Sequence, residues 1–433
     1  MWMAILKREM LEYLKSTKFL IGLAVVLTLV ALSTLINAAD YAQRHQDYLD
    51  AHHTRLPLDG FGYMRVAYRR PQILGVFVQG KDRELGDQIH ACGDSVTTEP
   101  MGFMGYWSQN QRFRAGFAAI DFAFVVRVVM SLLVIFLAYD CVSQERVQGT
   151  LRLMMANALS RGHLLWGKFF GGLVVILGML TLAVLVAALI IVLHPALTAD
   201  ASLLASLAIL WGLSALYLTV FFGLSVMLST WLNSPATSLL SLLQIWVVLV
   251  VIWPHAGIVL AQRIIPIPDT RERDQRKEDR VSDYTRQYRQ AHAVPSDPNE
   301  KRLYERQLER RCDELRRQVD LDYSRQQTRQ VQFAQRLALL SSPILYDRIA
   351  QRLARTDSAE FDRFLRSAER FWTEHHWGDG RVRGEEEPPE FVYQDQTLGA
   401  ALGPTLPHWG ILFLLGAACF AAAHTVFMKR DID

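Results

Sequence analysis

A chain of 433 residues with a net charge near +3 and 51% hydrophobic side chains would, if those side chains were evenly spread, describe an ordinary soluble protein. They are not evenly spread. They gather in blocks of about 20 or more, the length a helix needs to cross hydrocarbon, and two long polar stretches separate them. Cys92, Cys141, Cys312 and Cys419 form no CxxC pair, which excludes a zinc knuckle and a thioredoxin-type motif.

Residues 1–18 are amphipathic. Trp2, Ile5, Leu6, Met10, Tyr13 and Leu14 recur at helical spacing, with Lys7, Arg8, Lys15 and Lys18 between them. Such a segment predicts a helix in the membrane interface, with a plain extension of the first span as the alternative. The first apolar block, 19–38, is longer than a signal-peptide core and predicts a retained anchor, although Ile36-Asn37-Ala38 loosely imitates a cleavage site. Residues 39–116, with Gly, Pro, aromatics and short apolar runs, predict a small folded cap. Span two, 117–139, carries Asp121 and Arg127. Charges at membrane depth are costly, so they mark either a substrate contact or a pairing that holds the bundle together.

A polar loop, 140–168, leads to span three, 169–193, and span four, 203–231. Span five, 236–261, holds Gln244, expected to hydrogen-bond between helices. It also holds Trp253-Pro254-His255, which predicts a bend or re-entrant second half. Residues 264–407 are rich in Arg, Gln, Asp and Glu. Their middle repeats Leu303, Leu308, Leu315, Val319, Val331, Leu337 and Leu340 at spacings that predict long amphipathic helices, broken near Pro343. The charges there nearly balance, which favours a solvated, salt-bridged helix over a nucleic-acid surface. Span six, 408–428, and a tail, 429–433, complete an all-α integral membrane protein: six spans and an extracytoplasmic domain built from two insertions, the second largely helical.

Long domains translocate largely regardless of charge, so orientation is read near the span ends. Lys7, Arg8, Lys15 and Lys18 precede span one, and Arg44 is nearly alone just after it. Lys429 and Arg430 follow span six, and no Lys or Arg lies between Gly384 and that span. Both termini are then cytoplasmic and both insertions extracytoplasmic. Cys92 and Cys312 would share an oxidising compartment, where a disulfide could tie the insertions together. The alternative is two unrelated residues, with Cys312 buried among the apolar faces of the long helices.

The loop carries the most specific pattern: Glu145, Arg146, then Gly149-Thr150-Leu151-Arg152, a Leu/Met stretch, Ser160-Arg161, and Gly167-Lys168 opening span three. Physically it is a charged turn followed by an amphipathic loop helix. It resembles the signature of membrane subunits in the type-2 ABC exporter class. The six-span layout and the amphipathic start are similar as well. The large insertions, and Arg70-Pro71-Gln72-Ile73-Leu74 through Val78-Gln79-Gly80, resemble the branch with copper-enzyme-maturation and gliding-motility permeases. The resemblance implies a bacterial cytoplasmic-membrane permease working as a pair of identical or paralogous subunits. A separate ATPase subunit would bind ATP and magnesium, and 145–161 with Lys168 would receive its push. A periplasmic partner is a further implied contact. The long second insertion departs from compact drug exporters and leaves two outputs open: solute export, or mechanical work on that partner without transport.

Gly162-His163-Leu164-Leu165-Trp166-Gly167-Lys168 nearly spells a phosphate-binding loop. Phe169 stands where a magnesium-binding hydroxyl is required, and an apolar span follows in place of the strand–loop–helix context. The chain is therefore not expected to hold nucleotide itself. His52-His53 and Glu374-His375-His376 form no HExxH, and no metal site or catalytic constellation emerges, which disfavours a membrane-bound enzyme.

Overall fold

The computed structural model describes all residues except 1, 53–56, 59–61, 64, 93–94, 98–119, 152–159, 196, 198–199, 268, 293–295, 340, 375–390 and 430–433. It divides into two compact units, Met1–Val250 with Ser342–Asp433, and Val251–Ser341. Helices dominate, as the apolar periodicity requires, and among the described residues six are long and apolar enough to cross a membrane: Thr17–Asp50, Phe122–Val147, Arg161–Leu193, Ala201–Trp231, Pro235–Ile264 and Leu398–Lys429.

The boundaries differ from the sequence reading in an instructive way. Span one does not stop at Ala38; its helix runs Thr17–His52, about 54 Å against about 30 Å of hydrocarbon. Nothing in 39–52 breaks a helix, so the chain carries the span into the cap before it turns. Span three begins at Arg161 and not at Phe169, because Ser160 caps it by accepting the N–H of His163. Lys168 therefore lies two turns inside the helix. Where span five was expected to bend or re-enter, its helix is not interrupted. Helix Pro235–Trp246 passes through a π turn, Val247–Ile252, into helix Trp253–Ile264, so the proline is absorbed by a widened turn and not by a break.

The first unit is the bundle. Span four packs along span six, spans two and three and the helix Ser342–Ala354 that follows the second insertion. This return helix enters the bundle: Tyr346 is fully buried, its ring 4.8 Å from that of Tyr217 and its hydroxyl 3.1 Å from Ser214 Oγ.

One end of the bundle carries a cap made from both insertions. In the first, β1 (Pro57–Leu58) and β2 (Gly62–Tyr63) form a ribbon. Strands β3 (Arg65–Tyr68), β4 (Gln88–Cys92) and β5 (Ser95–Thr97) form an antiparallel sheet in the order β3-β4-β5, with Ala67 opposite Ile89. From the second insertion, helix Ser358–Glu374 lays Phe361, Phe364 and Ala368 on Ala67 and Ile89. The sheet is a local addition to an otherwise helical protein. Between β3 and β4 the chain wedges into the bundle: Leu74, Val76, Phe77 and Val78 are buried, and Phe77 meets Phe122 edge to face at 5.9 Å.

The second unit is an antiparallel helical hairpin, Thr270–Ala291 and Pro298–Ala338. Its register is fixed by Tyr288 against Tyr304 at 4.9 Å, Lys277 Nζ to Asp320 at 2.6 Å and Arg273 over the Tyr323 ring at 5.2 Å. The long helix ends at Ala338 and a new one starts at Ser342, as Pro343 predicts. Cys312 is a free thiol buried in the hairpin seam, 3.8 Å from Thr285 Oγ1, and is not half of a bridge. Cys92 closes β4; its side chain lies outside the described residues.

Candidate coupling site

At the bundle end opposite the cap, the N-terminal helix Trp2–Lys15 lies along span three. The approach is close because Gly171 and Gly172 have no side chain: a Cβ on Gly171 would come within 2.8 Å of Glu9 Cβ, and one on Gly172 within 3.2 Å of Tyr13 Cε2. Glu9 interrupts the apolar stripe of that helix, and the close approach buries it.

Lys168 is the centre of the site. Its Nζ lies 2.8 Å from Glu9 Oε1 and 2.7 Å from Glu145 Oε1, and its side chain is 4% exposed. A buried charge survives only when paired and hydrogen-bonded; here one ammonium meets one oxygen of a carboxylate from each of two other elements. Glu145 sits on a short loop helix, Ser143–Val147. That helix ends where Gly149 adopts φ +72°, a left-handed turn that favours glycine. Thr150 Oγ1 donates to the Glu145 carbonyl at 3.2 Å, and Leu151 is buried.

The same loop grips the ends of other spans. Arg146 donates from Nη1 to the Leu232 carbonyl at 3.1 Å and from Nη2 to the Thr230 carbonyl at 3.2 Å, covering the C-terminus of span four. Ser229 Oγ accepts the N–H groups of Val142 and Ser143, both at 3.1 Å. Arg161 Nη1 reaches the Met428 carbonyl at 3.2 Å, near the end of span six. Cations and donors at helix C-termini satisfy orphan carbonyls and the macrodipole together. Lys18, at the start of span one, pairs with Asp140 at 3.1 Å. Between the N-terminal helix and the loop helix lies a cleft of about 290 Å³, lined by Arg8, Glu12, Tyr13, Gln144 and Glu145 among others. Burial pushes the Tyr13 phenol well above its ordinary range, so it stays neutral there.

Of the loop residues the sequence singles out, Glu145, Arg146, Gly149, Thr150, Leu151, Ser160, Arg161 and Lys168 come together at this end. Arg152 and the amphipathic stretch after it lie outside the described residues. Asp121, Arg127 and Gln244 do not form one site. Asp121 caps span two, accepting from Phe124 N at 2.7 Å and Gln79 N at 2.9 Å. Arg127 pairs with Asp347 on the return helix. Gln244 is exposed on this chain and makes no interhelical bond among the described residues. Sequence reasoning passed over Glu9, although an acid at the centre of an apolar stripe is a visible signal. It also passed over Asp347 and Tyr346, whose partners are remote in sequence.

The model of the ABC-2 family transporter protein matches residues 3–432. The chain belongs to the ABC-2 transporter family. It is thus a multi-pass membrane permease subunit of an ABC transporter, and ABC-2 permeases work with an ABC ATPase subunit. No curated protein matches the sequence. The loop described above is the part of this ABC-2 permease in which one short segment touches the ends of several spans.

Proposed function

We propose that the chain couples ATP hydrolysis in a separate ATPase subunit to export, or to work on the far side of the membrane, through 145–161 and Lys168. The observation that carries this reading is the Lys168 ammonium held by Glu9 and Glu145. It makes the N-terminal helix, the loop helix and span three one block, and Arg146 and Arg161 extend that block to the ends of spans four and six. A push on the loop would then move several spans together. The Lys/Arg pattern near the span ends supports a cytoplasmic loop end and cytoplasmic termini in a bacterial inner membrane. ATP and magnesium belong to the partner, and a second copy or paralogue completes the permease.

Glu145→Ala and Gly149→Trp test this. Both should insert in the membrane and bind the ATPase while uncoupling hydrolysis from output; unchanged output in both would remove the loop from coupling. Orientation is tested in a cysteine-free background. An impermeant maleimide applied to spheroplasts should label Leu303→Cys and not Val147→Cys, both positions being exposed.

A second reading has its own support. The hairpin's long helix spans 41 residues, about 60 Å, a lever suited to moving a periplasmic partner without solute. Transport into inverted vesicles separates the two readings: hydrolysis-linked accumulation favours export, and its absence with intact coupling favours mechanical work.

A further inference from the structure

We infer that Arg348, with His408 near it, forms a binding site for a singly charged phosphate group at the cap end of the bundle. Arg348 lies on the return helix Ser342–Ala354. That helix ends against the cap, where Thr356 Oγ1 donates to the Val78 carbonyl at 3.1 Å. The charged neighbours of Arg348 there are answered. Asp347 pairs with Arg127 of span two, and Arg352 with Asp357 at 2.6 Å. Arg355 reaches Gln72 Oε1 at 3.2 Å and Asp395 at 3.8 Å. Arg348 makes no hydrogen bond or ion pair among the described residues. It is half-buried, and that burial pulls its guanidinium below the ordinary arginine range with no carboxylate acting against it. At Arg69, by contrast, burial is outweighed by Asp82 and Asp87, which raise it. A cation taken out of water without a counter-charge is costly, and at the end of a membrane bundle it marks a place for a ligand's charge.

The return helix packs on the short helix Leu398–Leu402 and on span six, Leu406–Lys429. His408, in the first turn of that span, lies within electrostatic reach of Arg348 and of the Pro404 and Thr405 carbonyls. Its Nδ1 is buried without a hydrogen-bond partner. The long apolar run of span six begins at Gly410, so His408 and Trp409 stand where hydrocarbon gives way to headgroups, the level at which tryptophan is enriched. A guanidinium presents a fork of N–H donors that matches two oxygens of one phosphate. One fork balances one negative charge, which fits a phosphodiester and leaves a dianion uncompensated. At this level the phosphodiester is also the singly charged group in greatest supply. A phospholipid headgroup and a dissolved phosphodiester share that chemistry.

The test is native mass spectrometry of the full chain in detergent with phosphatidylglycerol, its deacylated headgroup glycerophosphoglycerol, or diacylglycerol, which lacks phosphate. The wild type should bind a phosphate-bearing probe and not diacylglycerol. Binding of the lipid alone places the site against membrane headgroups; binding of the deacylated headgroup opens it to dissolved phosphodiesters. Arg348→Gln should weaken whichever binds by about tenfold or more, the scale of one charge-assisted hydrogen bond. Without ligand the same variant should melt at or above the wild type, because it removes an uncompensated charge. Arg370→Gln, exposed on helix Ser358–Glu374, should match the wild type. His408→Glu supplies the missing carboxylate and should abolish binding while raising the melting temperature. Failure of both phosphate probes to bind, equal binding of diacylglycerol, or unaltered phosphate affinity in Arg348→Gln overturns the inference. If Arg348→Gln melts lower or fails to fold, His408→Glu decides: wild-type affinity there overturns it.

Discussion

Each end of the bundle buries one cation between two carboxylates, yet the two clusters are built differently. At the loop end Lys168, a point charge on a span, joins Glu9 and Glu145 from two separate elements. In the cap Arg69, 2% exposed, joins Asp82 at 2.8 Å and Asp87 at 3.2 Å, and Asp87 is shared with Arg44 at 3.1 Å. The cap cluster staples neighbouring turns of one insertion to the extension of span one: Arg69 reaches both carboxylates from Nη2, and Arg44 on that extension adds a second cation between Asp87 and Asp40. The loop cluster hangs three elements on a single nitrogen. Two cations sharing three carboxylates keep the cap's first insertion on span one when one contact is lost; a single ammonium shared by three separate elements makes a pivot whose loss separates everything attached to it. On the proposed coupling reading, the cap holds as one body and the loop end transmits.

The largest expected effect is at the pivot. Lys168→Met strands two carboxylates in a buried site, at a cost of about 3–5 kcal/mol, and should abolish coupled output while lowering the melting temperature of the purified permease. Adding Glu9→Leu and Glu145→Leu should restore the melting temperature without restoring coupling. Recovery of coupling in that triple variant would show that packing, and not charge, makes the pivot.

Arg69→Met should destabilise the cap by about 2–4 kcal/mol, read as faster proteolysis of 65–92 with hydrolysis by the ATPase complex unchanged. If ATPase coupling falls as it does for Lys168→Met, the two clusters do the same job and the contrast collapses.

Asp82 gives a pH signature. Burial raises its carboxyl from an ordinary 3.8 to about 6 against the pull of Arg69. The folded cap then binds more protons than the unfolded chain between those values. Its stability should rise as pH falls from about 6 to about 4, by about 1–3 kcal/mol. Asp82→Asn should flatten that slope in a proteolysis or hydrogen-exchange series; an unchanged slope would assign the titration to another group.

The smallest expected effect joins cap to bundle. Asn37 Nδ2 donates to the Val76 carbonyl at 3.1 Å, and Gln79 Nε2 donates to Asn37 Oδ1 at 2.7 Å. Asn37→Ala should cost about 1–2 kcal/mol, measured by thermal unfolding, and leave both cation clusters intact.

The six spans and the helical hairpin were legible because apolar blocks and amphipathic repeats are local signals. The loop was legible as a motif, but its mechanics were not: nothing in Glu145 or Lys168 announces that the third member is Glu9, more than 130 residues earlier. Of the bend or re-entrance expected near Pro254, the chain shows a π turn, Val247–Ile252, ahead of the proline and no break in the helix. Gln244 was expected to bond across helices because a polar side chain in a span usually does so, but that rule does not say which face meets a neighbour. The cap sheet was missed because Arg65–Tyr68 and Ser95–Thr97 are too short for a period-2 pattern to stand out. The merging of the two insertions depends on Phe361 and Phe364 meeting Ala67 and Ile89 across nearly 300 residues.

The π turn in span two, Val125–Met130, has a consequence for how that span can be edited. There the N–H of Ser131 reaches the Val126 carbonyl, five residues back, so one residue is spliced into the helix and everything before it is rotated by about 100° relative to everything after it. Asp121 meets Gln79, and Ser131 meets the indole of Trp246 at 2.9 Å, only because the two halves keep that offset. Removing one residue within Val125–Met130 would heal the ladder into a plain α-helix, and one of those two contacts would have to turn away from its partner.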